Sequence, residues 1–158
     1  MNKQTELIHG KRWLHNLIQD IHANYAVTLN FENTMIDLRD NEKDRAKAQR
    51  TIRHGLLRLC KKAGTNRQPE NICRVVVIER GKQSKQLHAH IALRLDGYNE
   101  QEAHKLIFDC WAATKGASKL ESRFKCERIY STGWNGYLGK NITHTGFEDY
   151  DDINTRLV

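Results

Sequence analysis

Apolar residues recur along this chain with two different periods, and the switches between them mark out its elements. Leu7, Leu14, Leu17, Ile18 and Ile21 fall at helical spacing and predict a first helix over about residues 4–23. The period then drops to two. Tyr25, Val27, Leu29 and Phe31 alternate with Ala26, Thr28 and Asn30, as a half-buried strand does. A turn across Glu32–Asp40 leads to a second helix over about residues 42–63, with Asn41 as its cap and Gly64 as its stop. Ala48, Ile52, Leu56 and Leu59 form its inner stripe. A loop from Gly64 to Asn71 holds the only proline, Pro69.

A continuous apolar run centred on Val75–Ile78 makes Ile72–Arg80 a buried strand, and the polar stretch Gly81–Gln86 suits a hairpin into a paired strand, Leu87–Leu95. Asn99 and Glu102 have the spacing of a capping box and open a helix that runs to about Lys115. Ser122–Tyr130 alternates again, with Phe124, Cys126 and Tyr130 set against charged residues. Residues 131–142 suit a short helix weakened by Gly133, Gly136 and Gly139, and the acidic stretch 143–158 is expected to lie loose.

After the first helix the order is β-α-β-β-α-β, then a short helix. This is the split β-α-β pattern of a ferredoxin-like α+β fold: a mainly antiparallel sheet with its helices on one face, and with the extra N-terminal helix available to cover the open face. The chain has 158 residues and reads as a single domain over 1–158, its core spanning about 25–141.

Charge narrows the partners. The chain carries a net +7, distributed unevenly. From Asn141 onward Arg156 stands alone against Glu148, Asp149, Asp151 and Asp152, a net of −3, which leaves +10 on residues 1–140. Such a body attracts polyanions, of which nucleic acid is the commonest large one. The second helix concentrates this charge in Lys43, Arg45, Lys47, Arg50, Arg53, Arg58, Lys61 and Lys62. Arg45, Arg50 and Arg53 are its candidate DNA-binding residues, joined by Lys82 and Lys85 in the hairpin connection and by Trp134 as a base-stacking ring. No apolar run approaches the ~20 residues of a membrane span, and the N-terminus lacks signal-peptide features, so a cytoplasmic protein without membrane partners is expected. Cys60, Cys73, Cys110 and Cys126 form no CxxC pair and sit in apolar surroundings suited to reduced thiols.

The chemistry concentrates in Leu87-His88-Ala89-His90-Ile91. Residues i and i+2 of a strand share a face, so the two imidazoles project together, about 7 Å apart at the backbone. Glu79 ends the preceding strand; if the connection folds back tightly, it lies nearly opposite His88 on that face. Two nitrogens and a carboxylate with open positions suit a divalent ion such as Mn2+ or Mg2+, and zinc would tolerate the set. Further on, Tyr137 and Lys140 are three apart and share a face of the expected short helix. A tyrosine hydroxyl can attack a phosphodiester and hold it covalently, aided by a metal and a neighbouring ammonium.

In this order the residues resemble the HUH endonuclease superfamily, most closely its single-tyrosine rolling-circle replication initiators. Ala26–Phe31 looks like the family's first strand motif, His88-Ala89-His90 like the HUH element, and Tyr137-Leu138-Gly139-Lys140 like the YxxK element. Glu79 stands where single-tyrosine initiators carry a third metal ligand. The resemblance implies a nickase and strand transferase acting on single-stranded or hairpin DNA at an origin of a plasmid, phage or mobile element. It would form a 5′-phosphotyrosine link at Tyr137 and leave a free 3′-hydroxyl. No GxxxxGK[ST] sequence is present, so a host helicase is the expected partner. Tyr130 is the reserve nucleophile, and His144 follows near enough in sequence to approach the site.

Two rivals stand beside this reading. A single-tyrosine HUH transposase or relaxase would run the same chemistry on another target, although relaxases usually place the tyrosine before the histidines. A non-catalytic basic nucleic-acid-binding module would explain the charge but not three ligand types facing a tyrosine and a lysine.

Overall fold

A computed structural model describes residues 3–32, 41–64, 68–81, 86–130 and 149–158, with the backbone alone for residues 3–8 and Asn41. The described elements are α1 (Lys3–Asp20), β1 (Tyr25–Asn30), α2 (Asn41–Gly64), β2 (Arg74–Arg80), β3 (Leu87–Leu93), α3 (Glu100–Ala112), a 3-10 turn (Glu121–Arg123) and β4 (Lys125–Arg128). The four strands form one sheet in the order β2-β3-β1-β4, with every neighbouring pair antiparallel. The connection through α2 joins β1 to β2 past the intervening β3, and that through α3 joins β3 to β4 past β1. This is the split β-α-β arrangement expected from the element order.

Alternation along the strands decides what each sheet face meets. Val27, Leu29, Val76, Ile78, Ala89, Ile91 and Leu93 point to one face, where they are buried under Ala48, Ile52, Leu56 and Leu59 of α2 and Ala103, Leu106, Ile107 and Trp111 of α3. Val75, Val77 and Ala92 point the other way and are covered by Leu14, Ile18 and Ile21 at the end of α1 and just beyond it. α2 and α3 therefore lie on one face and the extra helix α1 on the other. α1 roofs part of the face that a bare split β-α-β unit would leave open.

Boundaries differ from the periodicity where hydrogen bonding changes hands. α1 stops at Asp20, and His22 takes the left-handed conformation (φ 53°) that turns the chain into β1. The Asn99–Glu102 capping box forms in full at the start of α3. β3 ends at Leu93 because the Asn24 side chain takes over the backbone of Leu95, accepting from its N–H (2.9 Å) and donating to its carbonyl (3.2 Å). β4 is shorter than 122–130 because Glu121–Arg123 coil into the 3-10 turn.

The acidic C-terminal stretch contradicts the expectation of a loose tail over its described part, 149–158. Arg156 exchanges backbone hydrogen bonds with Arg74, Asp149 accepts from the Ile78 N–H (2.7 Å), and the Asp151 N–H donates to Val76 (2.9 Å). This segment lines the outer edge of β2. Asp151 is fully buried, accepting hydrogen bonds from Gln49 (3.1 Å) and Asn154 (2.6 Å), so one of the four acids serves packing, not solvation. The expected tyrosine-bearing helix, 131–142, lies outside the described residues.

Candidate metal centre

The β2–β3 hairpin folds back tightly. Gly81 N–H donates to Gln86 (2.8 Å), Arg80 pairs with Leu87, and Glu79 stands directly opposite His88. The even-numbered positions 88 and 90 point to the same face as Glu79, so strand parity and turn length together assemble the cluster. Glu79 Oε1 lies 2.5 Å from His88 Nε2 and 2.9 Å from His90 Nε2. The rings meet edge to face with centroids 4.9 Å apart. One ligand atom from each of the three residues lies within 4.8 Å of the others.

β1 contributes the next contact. Thr28 pairs with His90 in register, and its Oγ1 is 3.1 Å from His90 Nδ1. With both Nε2–H groups donating to Glu79, the Thr28 hydroxyl donates to Nδ1. If the Nε2 lone pairs turn to an ion, Nδ1–H donates to the same oxygen. A hydroxyl serves either tautomer.

Burial alone would push the Glu79 carboxyl up. The hydrogen bonds from His88 and His90 and the charge of their rings outweigh it and bring the group down to about 2, so it is a carboxylate at neutral pH. Side-chain exposure is 3% for Glu79, 4% for His90 and 21% for His88, so the cluster is sealed from below and open on one side. That side opens into a cleft of about 530 Å³ running over β3, β1 and β4. Thr28, Asn30, His88 and His90 form its floor, and its wall carries the bases Arg123 and Lys125 and the acid Glu127. Asn30 donates to the Arg123 carbonyl (2.5 Å) and Arg123 donates to Gln86 Oε1 (2.7 Å), which ties the 3-10 turn beside the histidine strand.

Two imidazole nitrogens and a carboxylate oxygen on adjacent strands fit a divalent ion, and three protein ligands leave positions for water and substrate oxygens.

Other sequence candidates are placed differently. Arg45 donates to the carbonyls of Ile78 (3.4 Å) and Tyr150 (3.0 Å), joining α2 to the end of β2 and the C-terminal segment. It acts as a brace, not as a lining residue. Arg50 and Arg53 are exposed on α2, which packs against the sheet face opposite the histidines. As candidate DNA-binding residues they therefore do not line the metal cleft. Parity places His88 and His90 with α1's face, and the bases at the cleft come from Arg123 and Lys125. Tyr130 is 82% exposed, 3.5 Å from Glu100, beyond the end of β4 that pairs with Tyr25 and away from Thr28, so it does not reach the cluster. Tyr137, Lys140, Lys82, Lys85, Trp134 and His144 lie outside the described residues.

Thr28, Asn30, Arg123 and Lys125 went unnoticed in the sequence. The signal was present in the polar alternates of β1 and β4, but only sheet order reveals that those alternates flank β3.

Compared with known proteins, the chain matches no family model, no curated protein and no solved structure. All four cysteines are free, and among the described residues no helix is long and apolar enough to cross a membrane.

Proposed function

We propose that this protein is a divalent-metal-dependent nickase and strand transferase for single-stranded DNA, with the reaction class of a single-tyrosine HUH replication initiator. The observation that carries the reading is the convergence of Glu79 with His88 and His90, the two histidines lining an open cleft whose wall carries Arg123 and Lys125 beside Glu127. A bound Mn2+ or Mg2+ would polarise the scissile phosphate and stabilise the leaving oxygen.

The chain's own residues divide the remaining work. Glu79, His88 and His90 would hold the ion, and Thr28 would keep the His90 ring oriented in either tautomer. Arg123 and Lys125 would draw the phosphate backbone across β1 and β4. Tyr137 is the sequence's nucleophile. Its hydroxyl oxygen would form the bond to phosphorus as the 3′-oxygen leaves, and the proton released from the tyrosine would reach that oxygen. One phosphodiester replaces another, so the step needs no nucleotide cofactor and runs backward to rejoin the ends. The implied substrate is single-stranded or hairpin DNA at an origin, and a host helicase would supply the unwinding that no motif here provides. A transposase would share every one of these steps and differ only in its DNA target.

One observation favours the non-catalytic rival. Both imidazoles already donate to Glu79 Oε1, so the cluster also serves as a plain polar network in a folded binding module. A single experiment separates the readings. The protein is incubated with a pool of single-stranded DNAs and Mn2+, then run on a denaturing gel. The enzyme produces a denaturant-resistant protein–DNA adduct, which is lost with chelator, Tyr137→Phe, His88→Ala or His90→Ala. The two histidine variants keep their salt-sensitive DNA binding. Absence of any adduct, with Mn2+ also failing to bind the wild type, would assign the cluster to the module.

A further inference from the structure

The groove between α2 and α3 lies on the side of the molecule away from the metal cleft and carries its own concentration of positive charge. α2 buries Ala48, Ile52, Leu56 and Leu59 against the sheet and turns its other side outward. On that side Lys47, Arg50, His54, Arg58 and Lys61 follow one another at spacings of three and four residues. At ~100° per residue this stripe is about 80° wide, and at ~1.5 Å per residue it is about 21 Å long.

The stripe borders two shallow hollows in succession. Lys47, Arg50, His54 and Lys115 line one of about 460 Å³. Arg58, Lys61 and Lys62 line the next, of about 400 Å³. The acids that face them are Glu32 in the first and Asp109 in the second, and Asp109 already accepts from Lys105 (3.0 Å). Lys47, Arg50, Arg58 and Lys115 make no ion pair among the described residues. Like-charged side chains held along one helix face repel one another, and an arriving row of phosphates relieves that repulsion.

The described residues of the groove also lack a feature that single strands use. Phe108 and Trp111, the aromatic residues of α3, are packed inward against the core, and among the described residues no exposed aromatic ring lines either hollow. Single-strand sites gain much of their affinity from bases stacked on such rings. A track of charge without stacking platforms suits a duplex, whose bases are already stacked and whose backbone is presented outward.

We propose that the α2–α3 groove is a second nucleic-acid surface, one that holds the phosphate backbone of a duplex without reading its bases. The sheet separates it from the metal cleft, so a duplex behind and a single strand in front would not compete for space. The proposal stands on the groove alone and does not depend on the chemistry of Glu79, His88 and His90.

The test is fluorescence anisotropy with labelled 20-base-pair duplexes of random sequence, DNA in one arm and RNA in the other, between 50 and 200 mM salt. A matching single strand serves as competitor. About four phosphate contacts give a slope of log K against log salt near −4, and a loss of affinity of about 100-fold over that range. The triple variant K47Q/R50Q/R58Q preserves helix propensity and should flatten the slope by about 3. An unchanged midpoint of urea unfolding reports that the variant is folded. Lys115→Gln alone, outside α2, should flatten it by about 1. The control pair K11Q/R12Q, exposed on α1, should leave the slope unchanged. The proposal is overturned if wild type binds no duplex, if the triple variant keeps the wild-type slope, or if the α1 control matches its loss. A single strand that displaces the duplex at equal concentration would also overturn it. A preference between DNA and RNA identifies the duplex without altering the site.

Discussion

At the residue scale, the cluster shows how much chemistry a short local pattern can specify. Two histidines at i and i+2 and a glutamate nine residues earlier meet because strand parity and a tight hairpin leave them nowhere else to point. That part of the site was legible in the sequence. Thr28 was not, because its contact with His90 depends on which strand lies beside β3, and no local pattern states sheet order. The hydroxyl on His90 Nδ1 is a positioning contact, and its removal should be felt in metal affinity. Thr28→Val is expected to weaken Mn2+ binding about 10–100-fold by calorimetry, and Thr28→Ser to restore it. Equal affinities for Val and wild type would show that the threonine does not orient the ring.

At the scale of elements, the periodicities predicted every described helix and strand, and the differences fall at the ends. Sequence alternation shows that a strand has two faces but not which helix covers each. The place of α1 was nevertheless legible, because it stands outside the split β-α-β unit whose open face it covers. The seam between α2 and α3 shows a second constraint invisible to periodicity. A Cβ on Gly55 would stand 2.9 Å from Cε3 of the Trp111 ring. That ring is buried and its indole N–H donates to the Asn30 carbonyl (3.0 Å), so it has little room to yield. Alanine normally stabilises a helix interior by about 1 kcal/mol over glycine. At this seam the clash should reverse the sign, and Gly55→Ala should destabilise by about 1–3 kcal/mol in urea unfolding. A more stable variant would show that the two helices can part at no cost.

At the scale of the whole molecule, the element order predicted the antiparallel sheet, but composition misjudged how the chain finishes. Four acids near the C-terminus look like a solvated tail. In the structure Asp151 is buried and the backbone of 149–158 hydrogen-bonds along β2, because an exposed edge of a mostly apolar strand needs partners more than the acids need water. Deleting 149–158 should lower the melting temperature and make the protein associate with rising concentration, as read by size-exclusion chromatography. A truncated chain that stays monomeric with unchanged melting would make the edge covering dispensable. The bridge that Glu79 Oε1 makes to both imidazoles has a different consequence for the molecule as a whole. Because those three side chains already hold one another, the fold around them would not depend on an ion. Ion loading would then be a reversible exchange at a finished socket, and the identity of the occupant would follow from what the surrounding solution supplies.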